Sequence, residues 1–222
     1  MEKYYQKIKN APIFYGITDE ELDRMLKCFR AYVKSYKSGD IIFRQGEIVS
    51  NVYLILDGEV SIEKDSYWGR RMIIQKLYPN NSIGLSLVGS KNVESNVNAV
   101  CNSDALVLIF NYEKCSTICH NACSHHNILI RNLFKILSKE NIQLVEKIDN
   151  ISQKTIRDKL LTYLSNESLK SKTNIIEIPF NRQELADYLN IDRSAMSFEL
   201  SKLKQEGLIN YKKNKFVLKT NI

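Results

Sequence analysis

The stretch that decides the fold lies at residues 181–200 and reads NRQELADYLNIDRSAMSFEL. Asn181 is placed to cap a first helix. The inward-facing positions of that helix are Leu185, Ala186 and Leu189. A four-residue turn centred on residues 190–191 follows, and Asp192 is placed to cap a second helix. This order of cap, helix, turn, cap and helix predicts a helix-turn-helix.

The second helix has a buried side and an exposed side. Its apolar stripe consists of Met196, Leu200 and Leu203. The outward residues of its first turns occupy the positions that reach base edges in a major groove: Arg193, Ser194, Ser197 and Phe198. Gly207 ends the helix, and a hairpin follows around the basic tip at residues 212–215. The complete unit is a winged helix-turn-helix.

Two kinds of DNA contact are predicted from these side chains. The guanidinium of Arg193 can make a bidentate contact with guanine. Phosphate contacts, which position a protein without reading sequence, suit four other residues: Gln183, Lys202, Lys212 and Lys213.

The distribution of charge supports a polyanionic partner. The chain has 222 residues and a formal net charge of +7. Residues 151–222 hold 13 Lys and Arg against 8 Asp and Glu, whereas residues 1–150 hold 19 against 17. A solvated surface could also carry this excess, so charge is supporting evidence. The 44% hydrophobic content, with only 8 Gly and 3 Pro, excludes a disordered or collagen-like chain.

Sequence features predict a cytoplasmic protein without a membrane partner. The first ten residues are polar, and the longest apolar run, Ala105–Phe110, is far shorter than a membrane-spanning helix. Five cysteines are an odd number, and a reducing compartment argues against a disulfide framework.

The N-terminal half is predicted to begin with a helix and then to form an antiparallel β-roll. Thr18–Glu21 has the form of a capping box. Short β-rich runs separated by turn signals follow: residues 41–43, 52–56, 60–62, 72–74 and 105–110. Many short strands at regular intervals indicate an antiparallel barrel, roll or jelly roll.

A long helix with a narrow apolar seam is predicted after the roll. The seam consists of Ile130, Leu133, Leu137, Asn141, Leu144, Ile148 and Ile151. Leu129 and Ile136 lie off this seam and are expected to pack on the roll. The seam favours a twin helix in a homodimer, with Asn141 fixing the register. The alternative is that it is buried against its own chain.

The whole chain is predicted to be an α+β protein in three parts. These are a β-roll at 1–123, a dimerisation helix at 124–150 and a winged helix-turn-helix at 151–222. Within the last part, we expect a helix over Thr155–Leu164, a polar loop over Ser165–Thr173 and a short strand over Ile175–Ile178.

From about Phe14 to Leu218, the chain resembles the catabolite activator and fumarate-nitrate regulator (CRP/FNR) family of bacterial transcription regulators. The resemblance rests on the roll motifs at Tyr36–Glu47 and Val52–Val60, the long helix and the winged helix-turn-helix. It implies a homodimer joined through the long helix, a cyclic-nucleotide-binding-like jelly roll with an effector pocket, and a palindromic operator in double-stranded DNA. It leaves RNA polymerase open as a further partner.

Two departures from the family concern the cofactor. Members that bind cyclic nucleotides use a Gly-Glu-Leu turn and a later Arg, whereas this chain has Gly84, Leu85 and Ser86 at the candidate effector pocket and no Arg between residues 71 and 131. A cyclic nucleotide would bury its phosphate unpaired, so cyclic AMP is not expected. The cysteine group that holds an N-terminal iron-sulfur cluster is missing too, because Cys28 stands alone there. The cofactor therefore stays unknown.

A Cys/His-rich segment offers candidate metal ligands or a thiol switch: Cys115, Cys119, Cys123 and His120. The competing interpretation is a buried apolar stripe with surface histidines, because the spacing matches no known metal signature. Two alternative functions follow. The chain could be a constitutive DNA-binding dimer whose roll is only a scaffold, or a redox or metal sensor. An enzyme is not expected. Small β-rolls of the cupin kind bind a catalytic metal through histidines on their strands, but no histidine precedes His120. The sequence also has no Gly-rich phosphate loop, no Ser nucleophile elbow and no His-Glu-x-x-His helix.

Overall fold

A computed structural model describes residues 2–69, 71–90, 93–111, 113 and 124–219. The chain divides into two compact units. The N-terminal unit consists of Met1–Trp68 and Gln75–Asn141, and the C-terminal unit consists of Gly69–Ile74 and Ile142–Ile222. The division falls inside the long helix, near its centre, and a short segment before residue 75 belongs to the C-terminal unit.

The N-terminal unit begins with helices α1 (Tyr5–Lys9) and α2 (Asp19–Cys28). The predicted capping box is confirmed. The Glu21 backbone N–H donates to Thr18 Oγ1 at 3.4 Å, and the Thr18 N–H donates to Glu21 Oε2 at 3.1 Å. Apolar residues at helical spacing turn one face of α2 into the core: Leu22, Met25 and Leu26.

Two four-stranded antiparallel sheets form the roll. The strands are β1 (Tyr32–Tyr36), β2 (Ile41–Phe43), β3 (Asn51–Asp57), β4 (Val60–Asp65), β5 (Arg71–Leu77), β6 (Ser82–Ile83), β7 (Asn98–Cys101) and β8 (Ala105–Asn111). One sheet has the order β1-β8-β3-β6 and the other β2-β7-β4-β5. Leu54, Ile55 and Leu108, on the two inner strands of the first sheet, are fully buried in the roll core. The predicted roll is confirmed.

Gly58 makes the turn between β3 and β4 feasible. Its φ is +87°, in the left-handed region, and a Cβ at this position would lie 2.4 Å from the Asp104 carbonyl oxygen. Glycine is therefore required both by the backbone conformation and by the close approach of the neighbouring chain.

A short helix, α3 (Leu85–Val88), follows β6, and the long helix α4 spans Ser124–Ser152. Leu129 is fully buried in the roll core, and Ile136 packs against it, as predicted. The Asn132 side chain donates to the carbonyl oxygens of Ile13 at 3.1 Å and Tyr15 at 2.8 Å. These contacts fix the rotation of α4 about its own axis.

One carboxyl group of α4 should make stability depend on pH. Burial raises the pKa of Glu140 from 4.5 to about 7. A carboxyl group with a raised folded pKa holds its proton more tightly when folded, so stability falls as pH rises from about 4.5 to about 7. We expect Glu140→Gln to raise the free energy of unfolding by about 1 kcal/mol at pH 8, since partial contact with solvent reduces the effect, and to change it little at pH 4.

Urea unfolding at the two pH values, at one protein concentration, measures this effect. Glu20→Gln, at an exposed glutamate of α2, is the matched control and should not alter the pH dependence. If Glu140→Gln had the same pH dependence of stability as the wild type, the pKa of Glu140 would not be raised by folding.

The C-terminal unit contains three helices after α4 and one small sheet. Its elements are α5 (Ile156–Ser171), β9 (Ile175–Glu177), α6 (Arg182–Leu189), α7 (Arg193–Gln205), β10 (Ile209–Lys212) and β11 (Lys215–Leu218). The sheet has the order β10-β11-β9. Leu160, Leu200 and Phe216 are fully buried in the core of this unit, which Ile73 also joins.

The polar loop expected over Ser165–Thr173 is wrong, because α5 continues to Ser171. Polar contacts support the extra turns. Lys170 Nζ lies 2.7 Å from Glu146 Oε2 and 3.1 Å from Glu167 Oε1. The Asn166 side chain donates to Asn150 Oδ1 at 3.1 Å. The helix ends at Ser171, and its C-cap Lys172 adopts a left-handed conformation. Within the described residues, no helix is long and apolar enough to span a membrane.

Candidate nucleic-acid interface

Helix α6 begins at a capping box that the sequence predicted in part. The Glu184 N–H donates to Asn181 Oδ1 at 3.0 Å, which confirms the predicted cap. In return, the Asn181 N–H donates to Glu184 Oε2 at 2.7 Å. The predicted inward residues are all fully buried: Leu185, Ala186 and Leu189. The start and the rotation of α6 are therefore fixed locally.

The turn between α6 and α7 has the predicted position. Asn190 adopts a left-handed conformation with φ +52°, which asparagine tolerates better than most residues. The Ile191 N–H donates to the Ala186 carbonyl oxygen at 3.0 Å. Asp192 is the N-cap of α7, because its Oδ1 accepts from the Ala195 N–H at 2.8 Å. The second helix thus begins at the predicted residue.

The outward face of α7 carries every residue that the sequence assigned to DNA on this helix. These assigned residues, all of them exposed, are Arg193, Ser194, Ser197, Phe198 and Lys202. Phe198 is 73% exposed, although it is a large apolar side chain. The Ser197 hydroxyl donates to the Arg193 carbonyl oxygen at 2.9 Å. The opposite face, Met196, Leu200 and Leu203, is fully buried. This face of α7 can meet a base edge with a guanidinium, two hydroxyls and a ring.

The wing is the β10–β11 hairpin, and its basic tip is exposed. Lys212 ends β10, Lys213 lies in the turn, and both are exposed. Arg182, which sequence reasoning missed, lies over the rings of Tyr211 at 4.6 Å and Phe216 at 5.1 Å. Burial lowers the pKa of Arg182. The cation–π contacts tie the wing to the first residue of α6. Sequence alone does not predict this stacking, because Arg182 and the two rings are far apart in the chain.

Two further contacts position the helices behind the interface. The Arg157 guanidinium on α5 donates to Glu199 Oε1 at 3.2 Å and to Glu206 Oε1 at 3.1 Å, so it fixes α7 against α5. Lys147 is buried, and its ammonium donates to the carbonyl oxygens of Ile73 at 3.0 Å and of Tyr188.

The ammonium of Lys147 also lies 3.2 Å from the centre of the Tyr188 ring. Burial, with a smaller contribution from Lys159, lowers the pKa of Lys147 to about 7. A cation at this point complements the carbonyl end of α6. Sequence periodicity did not identify this lysine, because its burial depends on partners distant in the chain.

Gln183 and Lys202 are exposed, as their predicted phosphate contacts require. The Gln183 side chain donates to Asp187 Oδ1 at 2.8 Å. The two residues lie on different helices, Gln183 at the start of α6 and Lys202 in α7. Together with the wing lysines, the proposed phosphate contacts therefore come from three elements of the C-terminal unit: α6, α7 and the wing.

Two family models match the two halves of this architecture. The model described as a cyclic nucleotide-binding domain matches residues 33–122, which contain the roll. The model described as a Crp-like helix-turn-helix domain matches residues 158–220, which contain α6, α7 and the wing. The chain belongs to the CRP/FNR family.

Two relatives of this CRP/FNR-family protein share about a quarter of its sequence. The nitrogen fixation regulation protein FixK of Bradyrhizobium diazoefficiens is 23% identical over 186 residues, which are 78% of this chain and 72% of the relative. The cyclic AMP receptor protein of Thermus thermophilus is 24% identical over 203 residues, which are 91% and 89% of the two chains.

A solved structure extends this comparison to the fold. The c-di-GMP responsive global regulator CLP of Xanthomonas campestris has a TM-score of 0.69 and 18% identity, and the match covers 90% of this chain and 100% of that one. At this identity the likeness shows the fold. CRP/FNR-family proteins are transcription regulators and not enzymes, in agreement with the sequence prediction.

The candidate effector residues lie at the start of α3. Gly84 has φ +90°, and a Cβ there would lie 3.0 Å from the Asn51 carbonyl oxygen. Leu85 is 5% exposed and belongs to the roll core, whereas Ser86 is exposed. The side chain at the position of the family's glutamate is thus a core side chain.

The Cys/His candidates Cys115, Cys119, Cys123 and His120 lie outside the described residues. The other two histidines are described. His125 Nδ1 lies 3.5 Å from Glu21 Oε1, and His126 is buried beside Phe29. Among the residues that the structure describes, no group of three or more Cys, His, Asp or Glu side chains is placed to hold a metal ion.

Helix α4 presents an apolar face to solvent. Its members, with exposed fractions between 38% and 71%, are Ile130, Phe134, Leu137, Leu144 and Ile148, and the exposed Asn141 lies among them. Leu133, which the sequence analysis placed in the seam, instead packs against the roll core. The neighbouring Phe134 is 71% exposed and occupies the seam position that the sequence analysis assigned to Leu133.

Proposed function

We propose that this protein is a homodimeric, sequence-specific transcription regulator that binds a palindromic operator in double-stranded DNA. Its site of action would be the cytoplasm, with RNA polymerase as a further partner. The observation that carries the proposal is the outward face of α7, where Arg193, Ser194, Ser197 and Phe198 are exposed beside a basic wing. This is the surface that a recognition helix presents to a major groove.

Base reading is assigned to the first two turns of α7. The forked donors of Arg193 match the two acceptors of guanine. Ser194 and Ser197 can donate or accept hydrogen bonds. Phe198 offers no hydrogen bond, but its exposed ring suits the methyl group of thymine. The operator should therefore include a guanine and a nearby thymine in each half-site.

Dimerisation is assigned to α4. Its exposed apolar face repeats in steps of three and four residues, as in a two-stranded coiled coil. Asn141 at the centre would pair with its counterpart and fix the register. A two-fold dimer places two recognition helices on successive turns of DNA, about 34–36 Å apart.

The proposed effector is not a cyclic nucleotide. The burial of Leu85 supports this proposal, because a leucine in the core offers no acceptor to a ribose hydroxyl. Regulators of this fold are named for different ligands, cyclic AMP in the Thermus relative and c-di-GMP in the Xanthomonas protein. Both of these ligands are cyclic nucleotides, so the proposal of another effector class for this roll rests on Leu85 and on the lack of an Arg between residues 71 and 131.

DNA binding should depend strongly on salt, and the wing lysines should contribute to this dependence. We expect Lys212→Ala and Lys213→Ala each to weaken binding to specific and random duplexes alike. Each should lower the magnitude of the slope of log affinity against log salt by about 1, because a lost phosphate contact no longer releases a counterion. Fluorescence anisotropy over a salt series measures both effects.

Lys34→Ala, at an exposed lysine of β1, is the matched control for the change in net charge and should leave the slope unchanged. If wild-type binding to both duplexes were flat between low and moderate salt, the proposed DNA-binding function would be wrong.

A further inference from the structure

A cavity of about 590 Å³ opens beside the outward face of α7, within the C-terminal unit. Its wall includes Gln183 and Arg193, which the proposed function assigns to DNA. It also includes Arg71, from the segment Gly69–Ile74 that belongs to this unit. Arg71 comes from a part of the sequence more than a hundred residues before the helix-turn-helix.

Asp187 holds Arg71 in place. The Nε and Nη2 atoms of Arg71 donate to Asp187 Oδ2 at 3.2 Å and 2.8 Å. The other oxygen of the same carboxylate, Oδ1, accepts from the Gln183 side chain at 2.8 Å. One carboxylate therefore orients both a guanidinium and the amide of a proposed phosphate contact. The side chain of Asp187 is 13% exposed, whereas that of Arg71 is 44% exposed.

The charge of Asp187 makes Arg71 relevant to DNA. A carboxylate bonded to Gln183 would repel any phosphate that Gln183 approaches. The guanidinium of Arg71 cancels this negative charge and extends a planar array of donors, which matches a phosphate group. The pair thus turns a repulsive point on the surface into a neutral or attractive one.

We propose that Arg71 is part of the DNA interface, where it contacts a backbone phosphate flanking the bases that α7 reads and is oriented for this contact by Asp187. This inference rests on the proposed DNA-binding function.

The balance of charge in the cavity favours DNA over a small free anion. Arg71 and Arg193 are offset by Asp187 and Asp192, so the cavity would not concentrate a free anion strongly. A DNA backbone is different, because the wing lysines and α7 hold it at this surface. A phosphate of the bound DNA can then contact Arg71, because the DNA is already held by these other contacts.

The test compares full-length wild type, Arg71→Ala and Arg71→Lys on an operator and on a random duplex over a salt series. We expect Arg71→Ala to weaken both duplexes equally, by roughly threefold to tenfold at moderate salt, and to reduce the magnitude of the salt slope by about 1. Arg71→Lys should restore the slope but only part of the affinity, because an ammonium lacks the fork of donors. Arg24→Ala removes an exposed arginine of α2 and is the matched control for charge, with no expected effect.

Ethylation interference adds a readout of the contact itself. One phosphate per half-site should interfere with wild-type binding and lose this effect in Arg71→Ala. If Arg71→Ala bound both duplexes as wild type does, or more tightly, the inference would be overturned while the proposed function stood. Failure of the wild type to bind any duplex would overturn both.

Discussion

Leu144→Glu should convert the protein from a dimer to a monomer and abolish its preference for a two-half-site operator. Leu144 is 46% exposed on the apolar face of α4, one turn from Asn141. In a dimer this position lies against the partner helix, so a carboxylate would be buried in an apolar interface without a counterion. That penalty amounts to several kcal/mol, which is enough to dissociate a coiled-coil pair at working concentrations.

Sedimentation velocity measures the oligomeric state, and anisotropy measures the affinity for one and two half-sites. Leu169→Glu is the matched control, because Leu169 is an apolar residue of α5 that is 75% exposed outside this face. The control should remain dimeric. A folded Leu144→Glu variant that also remained dimeric would exclude α4 as the dimer contact.

Arg193→Ala should cost about 1–3 kcal/mol on the selected operator and relax discrimination at one base pair per half-site. Arg193 is the first residue of α7, follows the Asp192 cap and is exposed. A bidentate contact with guanine is lost completely when the guanidinium is removed, and alanine offers nothing in its place. Binding to random DNA should change much less.

Lys202→Ala is the informative comparison, because it removes a charge from the same helix at a proposed phosphate position. It should weaken all sequences alike. A uniform loss in Arg193→Ala, of the kind expected for Lys202→Ala, would make Arg193 a phosphate contact. Base reading would then belong to Ser194, Ser197 and Phe198.

The elements that the sequence predicted well are those that depend on local signals. The helix-turn-helix is recognisable because the Asn181 and Asp192 caps, the buried stripe of α7 and the turn at Asn190 all act within a few residues. The Thr18 capping box of α2 is another such case. Caps, buried stripes and turn residues involve positions close together in the sequence, so their spacing predicts the element that they form.

The features that the sequence missed depend on contacts between distant residues. The last turns of α5 are supported by the Lys170 contact with Glu146. The choice between Leu133 and Phe134 in the seam depends on the rotation of α4, which Asn132 fixes by bonding to Ile13 and Tyr15. Spacing alone favours neither, because both residues are apolar and adjacent.

Strand β7 and the Arg71 contact were missed for related reasons. Strand β7 has only four residues, and its pairing with β2 and β4 on either side supplies the hydrogen bonds that make it a strand. Arg71 and Asp187 are 116 residues apart. No local sequence pattern predicts a contact between residues so far apart. This part of the candidate site can be identified only from the structure.

Selection of bound duplexes from a random library tests the central claim most directly. The wild-type protein would be used with and without cyclic AMP, in air and without oxygen. We expect enrichment of palindromes whose half-sites are separated by about 34–36 Å, with a guanine at the same place in each half, and no change on addition of cyclic AMP. Enrichment of no sequence over random duplex, or of single half-sites without symmetry, would contradict a dimeric, sequence-specific regulator.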